Sequence, residues 1–245
     1  MHNSDIIFVE NLKKTFKGKI ALDNISFSLK KGNTLGLLGP NGSGKTTTIG
    51  ILLGLIKETE GKIVINDINL NSNKRHEVLN IINFASPYTE LPKRLTVKEN
   101  LVIYARLYGI KNIKDRVNEL IENFDLGNLQ NFKTGTLSSG QKTRVALAKS
   151  MINKPKLLFL DEPTASLDPI ISEYLRNFIL DYKENNEISI LFSSHNMQEV
   201  QGLCDQIIFL KDGKILEIGN IEEILDKYKK KALEDVYFKI YGNVK

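Results

Sequence analysis

Gly39-Pro40-Asn41-Gly42-Ser43-Gly44-Lys45-Thr46 fits the pattern G-x-x-x-x-G-K-[ST], and its reading decides the fold. Glycines lack Cβ and accept positive φ, so successive backbone N–H groups can converge on the β- and γ-phosphates of a nucleotide at a helix N-terminus. Lys45 adds a point charge, and the Thr46 hydroxyl stands where a Mg²⁺ ion bridging the same phosphates would be ligated. Thr47 is counted with Gly39, Pro40, Asn41, Gly42, Ser43, Gly44, Lys45 and Thr46 as nucleotide-binding. An ordinary Gly-rich turn capping a helix has no need of the Lys-Thr pair. Before the loop, Thr34-Leu35-Gly36-Leu37-Leu38 reads as a short apolar strand, and residues 46–53 read as a helix, which is the strand-loop-helix context the pattern requires.

The 245 residues suffice for one large α/β domain with a sizeable core, and one domain with a helical insertion is expected. A single cysteine, Cys204, excludes an intramolecular disulfide framework and fits a reducing compartment; it reads as a small core hydrophobe. No run of about 18 apolar residues is present, and the start Met-His-Asn-Ser-Asp has no basic segment followed by an apolar one. Neither a transmembrane helix nor a signal peptide is expected, and any membrane contact goes through a partner. The net charge of +5 and pI near 9.0 permit an anionic partner without demanding one. Lysines are scattered instead of forming a stripe, and the one local run, Lys229-Lys230-Lys231, closes a helix where cations suit the dipole. No nucleic-acid partner is expected.

Working outward, Ile6-Ile7-Phe8-Val9 and the alternating residues 25–29 read as strands ahead of the loop, with Lys30-Lys31-Gly32-Asn33 as a turn. Residues 61–67 add another strand, so an antiparallel piece stands beside a parallel core. From about 72 to 154 the pattern turns helical. Val97, Leu101, Tyr104, Ala105 and Tyr108 recur at helical spacing between a Thr96 cap and Gly109, while Val117, Leu120, Ile121 and Phe124 mark a second helix with Gly127 just beyond it. Strand and helix then alternate: 156–160 strand, 169–182 helix, 188–192 strand. The strands at 206–210 and 214–218 flank Asp212-Gly213, a hairpin signal, so the sheet should finish antiparallel. Two short helices follow, one carrying Ile221, Ile224, Leu225 and Tyr228, the other Leu233, Val236, Tyr237 and Ile240; Asn220 with Glu223 forms a capping-box pattern at the first.

Hydrolysis also requires a carboxylate at the metal and a group that orients the attacking water. The strand at 156–160 ends in Asp161-Glu162, at the strand edge where open α/β sheets bind ligands. Asp161 is assigned to the Mg²⁺ shell, and Glu162 to the water in line with the γ-phosphate.

With these residues in place the chain resembles the nucleotide-binding subunit of an ATP-binding cassette (ABC) transporter, over nearly its whole length. Leu137-Ser138-Ser139-Gly140-Gln141 resembles the LSGGQ signature, Glu162-Pro163-Thr164-Ala165-Ser166-Leu167-Asp168 the Walker B extension and D-loop, and His195 in Ser193-Ser194-His195 the H-loop switch. The resemblance implies a head-to-tail dimer that sandwiches two ATP molecules, each between one subunit's loop and the other's signature. It lends His195 a γ-phosphate-sensing role, and it places Ser138, Gly140, Gln141 and Asp168 among the nucleotide-site residues. On its own chemistry, Ser138 is an N-cap whose helix start presents N–H groups at a positive dipole end, and the role toward a second nucleotide is lent by the resemblance. Phe16 resembles the aromatic that stacks on adenine, with an edge core Phe as its other reading.

Two positions depart from the family. Ser139 stands where glycine is usual, which is costly at positive φ but cheap at the first helical residue, the placement expected here. The Q-loop glutamine is missing from Ile81-Ile82-Asn83-Phe84-Ala85-Ser86-Pro87-Tyr88; Pro87 occupies its place, and Ser86 and Tyr88 are the candidate substitutes.

The expected fold is α/β: a P-loop NTPase core with mixed sheet, an N-terminal antiparallel β subdomain and an inserted α-helical subdomain. An ATPase domain spans 1–219, with 1–71 and 155–219 as its core and 72–154 as the helical part, and 220–245 is a short C-terminal helical extension. The resemblance implies an ATPase that uses ATP and Mg²⁺, pairs with a second ATP-binding subunit, and powers a separate integral membrane permease from the cytoplasmic face. The alternative is a cassette ATPase that acts as a switch on ribosomes or DNA, relatives that usually carry two cassettes or a long coiled-coil insertion.

Overall fold

The computed structural model describes residues 4–86, 91–164, 167 and 169–242. β1 (Asp5–Phe16) and β2 (Lys19–Lys30) form a hairpin closed by Lys17 and Gly18, both at positive φ as a two-residue turn of this hand requires. β3 (Thr34–Leu38) runs into the phosphate loop and α1 (Lys45–Leu52) leaves it. β4 (Glu60–Ile65) pairs antiparallel with β1, and β5 (Ile68–Asn69) folds back across Asn66 and Asp67, giving a four-stranded sheet in the order β2-β1-β4-β5. β1 and β2 are much longer than their alternation suggests. Asn11 and Asn24, at φ 49 and 53, sit in register shifts that reset which face each side chain takes, so the two-residue period breaks within a continuous strand.

α2 (Arg75–Ile81) leads into β6 (Ile82–Ala85). The expectation that 72–154 is helical throughout is corrected here: β6 is the edge strand of the mixed sheet, paired in parallel with the strand at 157–161. Four residues between helices are too short a run to show a period. The helical part follows as α3 (Val97–Leu107), α4 (Ile113–Asn123) and α5 (Ser139–Ser150). Thr96 and Glu99 form a reciprocal capping box at α3, and Gly109 closes it at φ 66. After α4 the left-handed residue is Asp125, at φ 48, and not Gly127.

β7 (Leu157–Asp161), α6 (Pro169–Asn186), β8 (Ser189–Ser193), α7 (Met197–Leu203), β9 (Gln206–Lys211), β10 (Lys214–Asn220), α8 (Ile221–Tyr228) and α9 (Leu233–Tyr241) complete the described chain. The second sheet has six strands in the order β10-β9-β3-β8-β7-β6, parallel except for β10, which returns antiparallel across Asp212 and Gly213. Its central strands are buried on both faces, which explains their continuous apolar runs. Leu157, Phe159 and Leu191 join the core beneath the antiparallel sheet, whereas Leu158, Leu160, Ile190 and Phe192 point into the core beneath the helices.

The capping box expected at α8 is absent. Asn220 is still the last residue of β10, opposite Gln206, and its side chain accepts no bond from the helix. The C-terminal helices pack into the core through Leu233 and Val236, which are fully buried, and through Tyr241. The Tyr241 hydroxyl lies 2.9 Å from the carbonyl of Leu210 and 3.3 Å from that of Leu38, the residue just before Gly39. Its phenol pKa is raised by burial, so it stays a donor. Tyr241→Phe should therefore leave a buried carbonyl without its partner and cost about 1–3 kcal/mol, read as a lower midpoint in urea at unchanged slope.

Candidate active site

The phosphate loop is shaped by glycines that have no room for a side chain. At Gly44 the backbone takes φ 114, and a Cβ would fall 2.7 Å from Leu22 Cδ2 and 3.1 Å from the Ala21 carbonyl. Gly44 is also the N-cap of α1 and supplies no side-chain acceptor, so the helix's first N–H groups gain no side-chain partner from the cap. Lys45 folds back over the loop, its Nζ donating to the carbonyls of Gly39 at 2.7 Å and Pro40 at 3.3 Å. Burial lowers the Lys45 pKa, while the Glu162 and Asp161 carboxylates push it back up. The Ser43 hydroxyl is buried and has no partner among the described residues, an orphan donor inside the loop. Thr48 turns its hydroxyl inward to the Gly44 carbonyl, whereas Thr46 is exposed and Thr47 half-buried. An orphaned donor, an uncapped helix start and a buried cation together fit a polyanionic phosphate chain.

The acidic pair is placed by the parallel register. Asp161 pairs with Ser193 at the C-terminal ends of β7 and β8, and Leu37 of β3 aligns with Ser193 on the other side. The Ser193 hydroxyl donates to the Asp161 carboxylate, which orients it. Glu162 follows at φ 50, a left-handed conformation that a non-glycine residue adopts at a cost of about 1–2 kcal/mol. Two bonds hold it there: its N–H donates to the Ser193 carbonyl at 2.9 Å and to the Ser193 hydroxyl at 3.2 Å. His195 Nδ1 lies 3.4 Å from Glu162 Oε2, with the imidazole 67% exposed and the carboxylate 20%. The structure thus brings Lys45, Asp161, Glu162 and His195 to one edge of the mixed sheet.

The 137–141 segment stands apart. Ser138 and Gln141 form a reciprocal capping box at α5, the Ser138 hydroxyl accepting from Gln141 N–H at 3.3 Å and Gln141 Oε1 accepting from Ser138 N–H at 2.9 Å. Ser139 is the first residue of α5 and avoids positive φ, as expected from its Cβ. Gly140 lies close to α6: a Cβ there would sit 3.1 Å from Ile171 Cγ2. Among the described residues no hydrogen bond or ion pair joins this turn to residues 39–46. Phe16 is 43% exposed where β1 ends, with Lys14 Nζ 4.5 Å from its ring centroid, so it is no core residue. Asp168, Pro87 and Tyr88 lie outside the described residues, and Ser86 is buried. Cys204 is a buried free thiol whose pKa is pushed up by burial, which suits packing and not reactivity.

Sequence reasoning missed α7 and its Glu199. Asn196 caps this helix by accepting from the N–H groups of Gln198 and Glu199, and Met197, Val200 and Leu203 are buried at helical spacing behind it. That cap followed by an i, i+3, i+6 apolar stripe was the available signal.

A phosphate-shaped loop leaving a central strand of a mostly parallel sheet, with a carboxylate pair at the end of β7, one strand beyond the adjacent β8, defines a P-loop nucleotide-binding fold. The sequence model described as ABC transporter matches residues 22–165, more than half of the chain. The chain belongs to the ABC transporter family, as an ATP-binding and ATP-hydrolysing cassette. It is 33% identical over 230 residues to the ABC transporter ATP-binding protein NatA of Bacillus subtilis, covering 93% of this chain and 92% of that protein. It is 35% identical over 241 residues to ABC transporter A family member 4 of Dictyostelium discoideum, covering 95% of this chain but only 15% of that much longer protein. Among solved structures it superposes with a TM-score of 0.79 and 27% identity on a dimeric ATP-binding cassette in a post-hydrolysis state, bound to ADP and Pi, covering 88% of this chain and 98% of that one. Both the antiparallel sheet and the mixed sheet match the cassette fold.

Proposed function

We propose that this chain powers a separate membrane permease by ATP-driven closure of a head-to-tail dimer, most simply of two identical copies. The observation that carries this reading is the division of the site: the phosphate loop, Asp161, Glu162 and His195 share one sheet edge, while among the described residues the signature turn makes no bond to them. A second copy is the natural donor of that turn. Among the described residues no helix is long and apolar enough to cross a membrane, which agrees with a membrane partner supplying the path. The two relatives compared above carry transporter names.

In this reading Gly39 through Gly44 and Thr47 hold the nucleotide by backbone and hydroxyl groups, with Lys45 on the phosphates. Glu162 orients and deprotonates the attacking water, and His195 follows the γ-phosphate. Thr46, exposed at the start of α1, and Asp161, oriented by Ser193, would hold a Mg²⁺ ion that supplies charge neutralisation at the phosphates. Phe16 presents an exposed ring for the base, and Ser138, Gly140, Gln141 and Asp168 serve the partner's nucleotide. The organisation we assign is an ATPase domain over 1–219, with 72–154 as the helical part carrying the signature apart from β6, and 220–245 as a C-terminal extension that Leu233, Val236 and Tyr241 anchor in the core. Bound to its permease, the subunit would lie on the cytoplasmic face of the membrane.

Ser139→Asp tests the trans arrangement. The residue is exposed at the first position of α5, where an acid suits the helix dipole and should not lower stability. Facing a partner's phosphates, the same charge is repulsive by several kcal/mol. The expected result is ATP binding by single subunits at wild-type affinity, with ATP-driven dimerisation and hydrolysis reduced more than about tenfold. Full hydrolysis by this variant would remove the signature turn from the site. Recovery of the native chain with a polytopic membrane protein supports the permease, whereas salt-sensitive recovery with ribosomes or DNA favours the switch.

A further inference from the structure

The geometry points to Glu199 as a positioning residue that sets the spacing between Glu162 and His195, an inference resting on the roles proposed above for those two. Glu199 is 5% exposed and lies on α7, outside every motif quoted from the sequence. One carboxylate oxygen accepts from the Thr164 hydroxyl at 2.6 Å, and the other accepts from the Ser194 hydroxyl at 3.1 Å. Thr164 stands two residues beyond Glu162, and Ser194 immediately precedes His195. A single buried side chain therefore joins the two segments that leave β7 and β8 carrying the reactive groups. The strand ends themselves are already tied through Ser193, to Asp161 and to the Glu162 N–H. Glu199 adds a second tie farther along both segments, at Thr164 and Ser194. Thr164, Ser194 and Glu199 also wall a cleft of about 530 Å³ that Glu162 and His195 open into.

The chemistry requires a carboxylate. Both partners are hydroxyls with one proton each, and Ser194 Oγ already accepts from the Asn196 N–H at 3.0 Å, so its proton is free for Glu199. A carboxylate offers two acceptor oxygens and satisfies both hydroxyls at once. A glutamine offers one oxygen and an NH₂ group, which forces one hydroxyl to turn and shifts one segment against the other. His195 is largely exposed, so its side chain is not locked by packing of its own.

The test is steady-state ATP hydrolysis by Glu199→Gln, Thr164→Val, Ser194→Ala and Thr164→Ser, each normalised to folded, nucleotide-binding subunits. Glu162→Gln runs beside them. Glu199→Gln should lower kcat about tenfold or more while leaving the KM for ATP within about twofold, because the phosphate loop is untouched. Thr164→Val should lower kcat in the same way, and adding it to Glu199→Gln should cost little further, since the two act as one unit. Thr164→Ser keeps the hydroxyl and should restore the rate. A kcat per folded subunit that stays at wild type in Glu199→Gln and Thr164→Val, with only a lower Tm, would overturn the inference and leave Glu199 as a packing residue. Should Glu199→Gln fail to fold, Thr164→Val against Thr164→Ser decides alone. Undiminished hydrolysis by Glu162→Gln instead overturns the role of Glu162 itself, so the two failures are told apart.

Discussion

Glu162→Gln is expected to keep ATP binding, accumulate an ATP-loaded dimer and lose about 10²- to 10⁴-fold in turnover, the range that a positioned general base supplies. Glutamine has the shape of the native side chain and can still hydrogen-bond a water, but it cannot take its proton. The backbone that places residue 162 does not depend on the side chain. It is held at φ 50 by the N–H bonds to Ser193 and by the parallel pairing of Asp161 with Ser193. The phosphate loop keeps its geometry too, because Lys45 is anchored on the Gly39 and Pro40 carbonyls. Binding and closure should therefore survive while the chemical step stops. Light scattering with and without ATP reads the dimer, and phosphate release reads the turnover. A variant that hydrolyses at the native rate would take Glu162 out of the mechanism, and one that no longer binds ATP would show it to be structural.

Gly39→Ala is expected to reduce ATP affinity more than tenfold and to destabilise the fold by about 1–3 kcal/mol, the cost of overpacking a tight site. A Cβ at this position would lie 2.2 Å from the Leu210 carbonyl oxygen and 2.6 Å from Ser43 Oγ. The first neighbour is backbone of β9, which pairs with β3 and whose Leu210 carbonyl is also held by the Tyr241 hydroxyl, so it resists moving. The loop must shift instead, and it carries the Gly39 carbonyl that positions Lys45. Gly42→Ala is the control: φ is 79 there, but a Cβ meets nothing within 4 Å, so the cost is only the left-handed backbone, about 1–2 kcal/mol. Titration with a fluorescent nucleotide and urea unfolding separate the two variants. Equal behaviour of both would show that backbone conformation, and not the contact with β9, governs the loop.

The candidate site was legible because its chemistry is written in short local patterns. The 39–46 loop, the Asp161-Glu162 pair after a buried strand and the Ser138 cap each declare themselves within a few residues. Element types in the long periodic stretches followed in the same way, as with α3 between Thr96 and Gly109. Illegible features were those in which one residue's environment comes from distant segments. The bulges at Asn11 and Asn24 hid the true length of β1 and β2, and β6 was too short to be told from its helical surroundings. Asn220 and Glu223 show the converse error, a capping pattern left unused because the strand pairing of β10 claims its first residue.

By itself, then, the sequence determined that this chain carries a phosphate-loop pattern at Gly39–Thr46 and an acidic pair at 161 and 162, and that it resembles an ABC cassette. Only the tertiary structure decided that β3 lies next to β8, with β7 beyond, so that Lys45, Glu162 and His195 meet at one edge. It alone put Tyr241 behind the loop and Glu199 between the segments that carry Glu162 and His195. The reason is range: phosphate-binding turns and helix caps are satisfied by neighbours along the chain, whereas a buried hydroxyl or carboxylate takes its partner from whatever the packing brings near.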